Sequence, residues 1–229
     1  MEDVYVLLAT PQVGASLRLI PRFDSRLRSQ VGISLTCDDK LEVASRLVDL
    51  GVAYIEGGYP ASNPKDVEFF SRWHASGLAA RASASGTKLA AFGMTRRRGV
   101  KPEADEGLKA LVECPAPAVC IVAKAWGEQC ERVLGVSLEE NLVMIEESVA
   151  FLVEAGKEVL VDAEHFYDGH VADPEFAMKC VLAAARSGAS RVVLCDTNGG
   201  TMPWCVQAVT AEVVDALAAE GFAPSVGSV

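Results

Sequence analysis

The sequence has no CxxC pair: its seven cysteines, at 37, 114, 120, 130, 180, 195 and 205, are scattered. That excludes a common zinc pattern, and the odd count argues against a disulfide framework, so a reducing compartment is expected. No apolar run approaches the ~18 residues of a membrane span. The first thirty residues carry Glu2 and Asp3 and lack a signal-peptide core and cleavage pattern, which speaks against secretion. Neither a GxGxxG turn nor a P-loop is present, so the usual phosphate-cradling loops of doubly wound sheets are missing. Positive charge is scarce: 21 Lys and Arg against 31 Asp and Glu leave a net charge of −10. A general nucleic-acid binder needs clustered cations, and none is expected here. Small anionic ligands respond to local fields and stay allowed.

What is there is globular and α/β. Half of the residues are hydrophobic and 23% are charged, enough for one large domain with a substantial core. Short apolar runs suited to buried strands recur at Leu17–Phe23, Val52–Ile55, Lys88–Phe92, Ala118–Ala123, Glu158–Val161 and Val192–Cys195. Helical patterns separate them. Asp38-Asp39 precedes Lys40–Leu50, whose Leu41, Ala44, Leu47 and Val48 share a face, and Gly51 stops it. Ser137 and Glu140 form a capping-box signature ahead of Leu138–Glu154, and Gly156 closes that helix. Asp173-Pro174 opens Glu175–Arg186, closed by Gly188, and Pro203 opens a last helix through Ala219.

Six strand–helix units at spacings of roughly thirty to forty residues predict parallel β/α architecture. A (β/α)8 TIM-barrel type fits better than a doubly wound sheet, because polar groups close several different strands. The barrel is incomplete, with about six βα units. The expected division is a divergent segment over 1–16, a partial barrel over 17–221 and a short tail over 222–229.

The strand ends carry the candidate chemistry. After the second strand, Glu56-Gly-Gly-Tyr59 reads either as a ligand-approaching turn with Glu56 at the strand end, or as a solvated turn. Arg96, Arg97 and Arg98 follow the third strand; they could clamp carboxylates or phosphates, though a solvated basic loop is the commoner outcome. Lys124 follows the fourth strand, as a Schiff-base nucleophile or, more often, an ion-pair partner. In the fifth, alternation would turn Asp162 and Glu164 to one side and His165 to the other. A carboxylate there suits general acid–base work. His165 and His170 lie five apart, so an outward, packed imidazole is favoured over a metal ligand. Asp196, Thr197 and Asn198 end the sixth strand ahead of Gly199-Gly200.

Five ordered motifs, YIEGGYPASNPKDVEFF, KLAAFGMTRRRGVK, SLEENLVMIEESVAFL, VDAEHFYDG and VVLCDTNGGTMP, together resemble the citramalate synthases, of the superfamily that includes isopropylmalate and homocitrate synthases and hydroxymethylglutaryl-CoA lyase. The resemblance spans about Pro21 to Ala218 and implies an acyltransferase that condenses acetyl-CoA with pyruvate, a 2-oxo acid, in isoleucine biosynthesis. It implies a divalent ion, Mg or Mn, that polarises the keto group. Residue by residue, Glu164 matches a strand-end glutamate near substrate and metal, and Thr197 a threonine that holds the substrate carboxylate. Asp196 and Glu56 match active-site acids, and Arg28 matches an arginine that stabilises the developing enolate. The sequence departs from that pattern where the metal is bound. Asp24-Ser-Arg-Leu-Arg-Ser-Gln30 keeps Arg28 but lacks the Asp-Gly that should follow, no His-x-His pair is present, and Gln129 stands where a histidine is common. No metal ligand is therefore assigned, and the chain as written is expected to be inactive. A related lyase, or a non-catalytic fragment acting as a binding protein, are the alternatives. The resemblance further implies a homodimer and a cytoplasmic location, or an organelle lumen such as the plastid.

Overall fold

The computed structural model describes residues 5–9, 35–62 and 64–228. Seven parallel strands form one sheet: β1 (Tyr5–Ala9), β2 (Tyr54–Glu56), β3 (Lys88–Met94), β4 (Ala118–Lys124), β5 (Glu158–Glu164), β6 (Arg191–Cys195) and β7 (Ser225–Ser228). Their order is β2-β3-β4-β5-β6-β1-β7, and every pairing is parallel. From β2 to β6 sequence neighbours are sheet neighbours, the arc of a barrel. Among the described residues β2 and β7 do not pair, so the (β/α)8 barrel is incomplete, as the pattern of units predicts.

Helices fill the crossovers: α1 (Cys37–Leu50), α2 (Pro64–Ala75), α3 (Leu78–Ser85), α4 (Glu106–Glu113), the short turn α5 (Gly127–Gln129) running into a π-helical turn at Cys130–Leu134, α6 (Leu138–Glu154), α7 (Phe166–Ala172), α8 (Pro174–Arg186) and α9 (Pro203–Ala219). Local chemistry sets their ends. Thr36 and Asp39 cap each other's backbone ahead of α1, and Gly51 closes it at φ 76°. The predicted box before α6 is only half formed. The Ser137 hydroxyl accepts from the Glu140 N–H at 3.2 Å, while the Glu140 side chain turns away to Arg96, a buried cation that outcompetes the helix's own terminus.

Alternation divides the core in two. Outward residues such as Ile55, Ala91, Val119, Ile121, Val161 and Leu194 pack under the helices. The inward set, Tyr54, Ala90, Ala118, Cys120 and Leu160, is small in number and mostly small in side chain, leaving the interior to polar groups. At the N-terminal end of the interior, Glu158 gathers Tyr54 (Oη to Oε1, 2.6 Å), Lys88 and Arg191.

The expected strand at Leu17–Phe23 lies outside the described residues. Strands β1 and β7 fall in segments that the apolar pattern left without a strand. Each is short and reaches the sheet only through a distant partner, with Tyr5 opposite both Arg191 and Ser225. Strand β5 runs three residues further than its apolar stretch, to Glu164, because the pairing with β4 continues under polar side chains.

Two carboxylates give the fold an acid limit. Burial pushes Glu158 up, but hydrogen bonds from Lys88 and Tyr54 and the charges of Lys88 and Arg191 leave its carboxyl below the usual range. Burial also raises Asp105, which is nevertheless held low by hydrogen bonds from Arg97, Leu108 and Gly107. A folded-state value below the unfolded one contributes stability above the unfolded value and loses it as pH falls through the folded value. The urea midpoint is therefore expected to fall as pH drops from about 5 to about 3, and more shallowly in Glu158→Gln. An unchanged slope in that variant would contradict the assignment.

Candidate active site

Polar side chains collect at the C-terminal ends of β2 to β6, where parallel barrels place chemistry. Register fixes which of them meet. Val122 lies opposite Asp162, and Lys124 opposite Glu164. The alternation predicted for Asp162 and Glu164 thus holds through the end of β5, and both face inward. Lys124 Nζ is ion-paired to Glu164 Oε2, with both side chains largely buried. Lys124 is accordingly an ion-pair partner, the commoner of its two predicted roles.

The β4 end that carries Lys124 is pinned from behind. The Asn141 Nδ2 on α6 donates to the Lys124 carbonyl at 2.9 Å, and the Cys180 thiol on α8 also faces it at 3.5 Å. The Ala125 N–H donates to the Glu164 carbonyl at 3.1 Å, closing the ladder between the two strand ends. Gly169 on α7 then presses on Ala125 so closely that a Cβ there would sit 2.2 Å from the Ala125 oxygen. Burial raises the Cys180 thiol and pushes Cys130 up to about 11, so both stay protonated and unreactive.

His165 turns out of the strand. It is the one non-glycine residue with positive φ (57°) among the described residues and caps α7. Its ring packs on Trp126, with centroids 5.7 Å apart, and its Nδ1 meets Asp168 at 3.2 Å. His170 reaches Glu212. Both imidazoles are packed and each meets a carboxylate. The backbone of His165 does matter: its N–H donates to Thr197 Oγ1 at 2.9 Å, tying the ends of β5 and β6 together.

Asp196 is buried, and its carboxylate is turned onto its own loop, accepting from the Thr201 N–H (3.0 Å) and hydroxyl (2.9 Å). Glu56 is fully buried at the end of β2, not solvated. The glycines after it have a packing reason: a Cβ on Gly57 would lie 2.7 Å from Phe69, and one on Gly58 2.5 Å from Asp66, with φ at +134°. That turn is fastened by a buried ion pair, Lys40 Nζ to Asp66 Oδ1 at 2.8 Å, with a second bond from Lys40 to the Gly57 carbonyl at 2.7 Å. Arg28 lies outside the described residues.

The arginine run is corrected in part. Arg96 is neither a solvated cation nor a ligand clamp: it is buried, and its guanidinium bridges Glu140 and Glu147 of α6. Arg97 pairs with Asp105, and Arg98 donates to the Gly135 carbonyl at 2.7 Å. Sequence reasoning missed Asn141, Thr201 and Gly169 as residues that position the site. Only Gly169, a glycine inside a helical run, carried a local signal.

Among the described residues the donors do not make a divalent-ion site. Glu164 is engaged by Lys124 and Asp196 by Thr201. Among the described residues no group of three His, Cys, Asp or Glu side chains could hold a metal. No helix among them is long and apolar enough to cross a membrane.

Residues 23–223 match the model of the HMGL-like family. The chain is 44% identical over 195 residues to the (R)-citramalate synthase of Streptomyces coelicolor, covering 84% of this chain and 36% of that protein. To the (R)-citramalate synthase of Geobacter sulfurreducens it is 42% identical over 200 residues, 86% of this chain and 37% of that protein. The chain thus spans about a third of the length of these curated relatives. The hydroxymethylglutaryl-CoA lyase of Pseudomonas aeruginosa superposes with a TM-score of 0.62 at 19% identity, covering 97% of this chain and 67% of that one. That likeness concerns the fold.

Proposed function

The chain belongs to the HMGL-like family, and from that premise we propose that it is the barrel segment of a citramalate synthase-type acyltransferase. Its substrates on this reading are acetyl-CoA and the 2-oxo acid pyruvate. The observation that carries it is the Glu164 carboxylate, inward at the end of β5 and held by Lys124, beside a Thr197 hydroxyl fixed by the neighbouring strand. This stands in a chain 44% identical to a citramalate synthase.

In this reading Thr197 receives the pyruvate carboxylate through its hydroxyl proton, its oxygen already accepting from His165. Glu164 faces the acetyl methyl group, where the family reaction would use it as the base. Glu56 and Asp196 shape the remaining walls, and Arg28 acts on the enolate oxygen. A resident divalent ion would add polarisation of the keto oxygen, but the described donors do not fit one. The 229-residue chain is therefore read as binding its substrates without turnover. A homodimer and a cytoplasmic or organellar setting complete the proposal.

Calorimetric titration with pyruvate in the presence of acetyl-CoA tests the reading. Thr197→Val is expected to weaken pyruvate about tenfold or more, the loss of one hydrogen bond to a charged group. Pyruvate affinity unchanged in that variant, or tighter binding and cleavage of hydroxymethylglutaryl-CoA, would favour the lyase alternative. Steady CoA release from acetyl-CoA and pyruvate by the chain alone would contradict inactivity and leave the substrates standing.

A further inference from the structure

Thr197 is exposed at the end of β6, and its hydroxyl is only half used. The oxygen accepts from the His165 N–H at 2.9 Å. A hydroxyl has one proton and two lone pairs, and among the described residues that proton is given to no acceptor. The N–H that fixes the oxygen comes from a disfavoured backbone. His165 sits at φ 57° and ψ 32°, the left-handed region, where a side chain crowds its own carbonyl. Such a conformation persists only where the surroundings over-determine it, and it concentrates at functional sites.

Three contacts hold His165 in that turn. The Trp126 indole packs on its ring. The Gly169 N–H donates to its carbonyl at 2.8 Å. Its Nδ1 meets Asp168 Oδ2 at 3.2 Å, three residues on in the first turn of α7. The same Asp168 oxygen accepts from Asn198 Nδ2 at 3.0 Å, and Asn198 is the residue that follows Thr197. One carboxylate oxygen on α7 therefore grips both the residue that donates to Thr197 and the residue next to it. It bridges the tips of β5 and β6 at the point where the Thr197 hydroxyl is presented. The condensation chemistry gives Asp168 no other task.

We propose that Asp168 is a positioning residue: it holds His165 and Asn198 so that Thr197 keeps its hydroxyl proton turned to a substrate carboxylate. The proposal rests on the reading of Thr197 as the group that receives pyruvate, and adds what orients it. It carries an unusual sign. Asp168 is a carboxylate close to the place of another, so by charge alone its removal tightens pyruvate. By positioning, its removal weakens pyruvate, because a freed hydroxyl must be ordered before it can bind. The two effects oppose each other, and one affinity measurement separates them.

The test is calorimetric titration of the whole chain with pyruvate, acetyl-CoA being present. Asp168→Ala is expected to weaken pyruvate about fivefold, the effect of a lost hydrogen-bonded bridge. Asp168→Asn, whose amide oxygen can still accept both bonds, should stay within about twofold of the unsubstituted chain. Asn198→Ala removes one of the two bonds without touching α7 and should weaken pyruvate about threefold; it decides the matter if Asp168→Ala does not fold. In a Thr197→Val background Asp168→Ala should have no further effect, since it acts through that hydroxyl. Pyruvate unchanged or tighter in Asp168→Ala and Asn198→Ala, or an equal loss in the Thr197→Val background, overturns the positioning role and leaves the pyruvate reading intact. A loss in Asp168→Asn as large as in Asp168→Ala assigns the effect to charge and overturns it too. A Thr197→Val chain that binds pyruvate as before overturns the pyruvate reading itself.

Discussion

Replacing Asp66 with alanine is expected to cost about 3–5 kcal/mol, a fall in thermal midpoint on the order of 10 °C for a chain of this size. The Lys40 and Asp66 side chains are only 7% and 5% exposed. Removing the carboxylate leaves an ammonium buried with a single carbonyl acceptor, that of Gly57. The cost comes from the stranded charge more than from the lost attraction. Asp66 also accepts from the Tyr59 N–H at 3.1 Å, so its loss frees the turn that follows Glu56. The double variant Lys40→Met/Asp66→Leu should recover a large part of the loss, since it removes both charges. A small effect of Asp66→Ala, below about 1 kcal/mol, would show that Lys40 finds water and that the pair behaves as a surface one.

Gly169→Ala is expected to destabilise by about 2–3 kcal/mol or more, against the ordinary sign for such a change. Within a helix, Ala normally gains about 1 kcal/mol over Gly. Here the new methyl would sit 2.2 Å from the Ala125 oxygen and 2.9 Å from its carbonyl carbon. Both are backbone atoms of the segment that follows Lys124, and neither can rotate aside. Helix α7 must retreat or the β4 end must shift, and the Lys124–Glu164 pair shifts with it. Chemical denaturation reads the stability change, and pyruvate affinity reads the displacement of the site. A stabilising Gly169→Ala would mean that the close approach is absent in solution.

The five central strands were legible because buried parallel strands are short, apolar and bounded by turn residues. Tyr5–Ala9 and Ser225–Ser228 were not, since their place in the sheet comes from partners far away in the chain, Tyr5 lying opposite both Arg191 and Ser225. At the site, Glu164 was legible from alternation along β5 and from its motif. Its partner was only half legible: Lys124 could be named as an ion-pairing residue, but not as the partner of Glu164, forty residues away. Asp196 looked like a free acid, and Thr201 took both its oxygens. Arg96 looked like a surface cation because its neighbours in sequence are two more arginines, and it is buried because α6 crosses above it.

By itself the sequence determined the family, the alternation of strand and helix, and the inward face of β5. Those depend on motif order and on backbone periods of 2 and 3.6 residues, which are local. Only the tertiary structure decided which charges neutralise each other, that Asp196 is turned onto its own loop, and that of three consecutive arginines Arg96 is buried while Arg97 and Arg98 stay at the surface. Such outcomes depend on strand register and helix placement, where groups far apart in the chain compete for the same few hydrogen bonds.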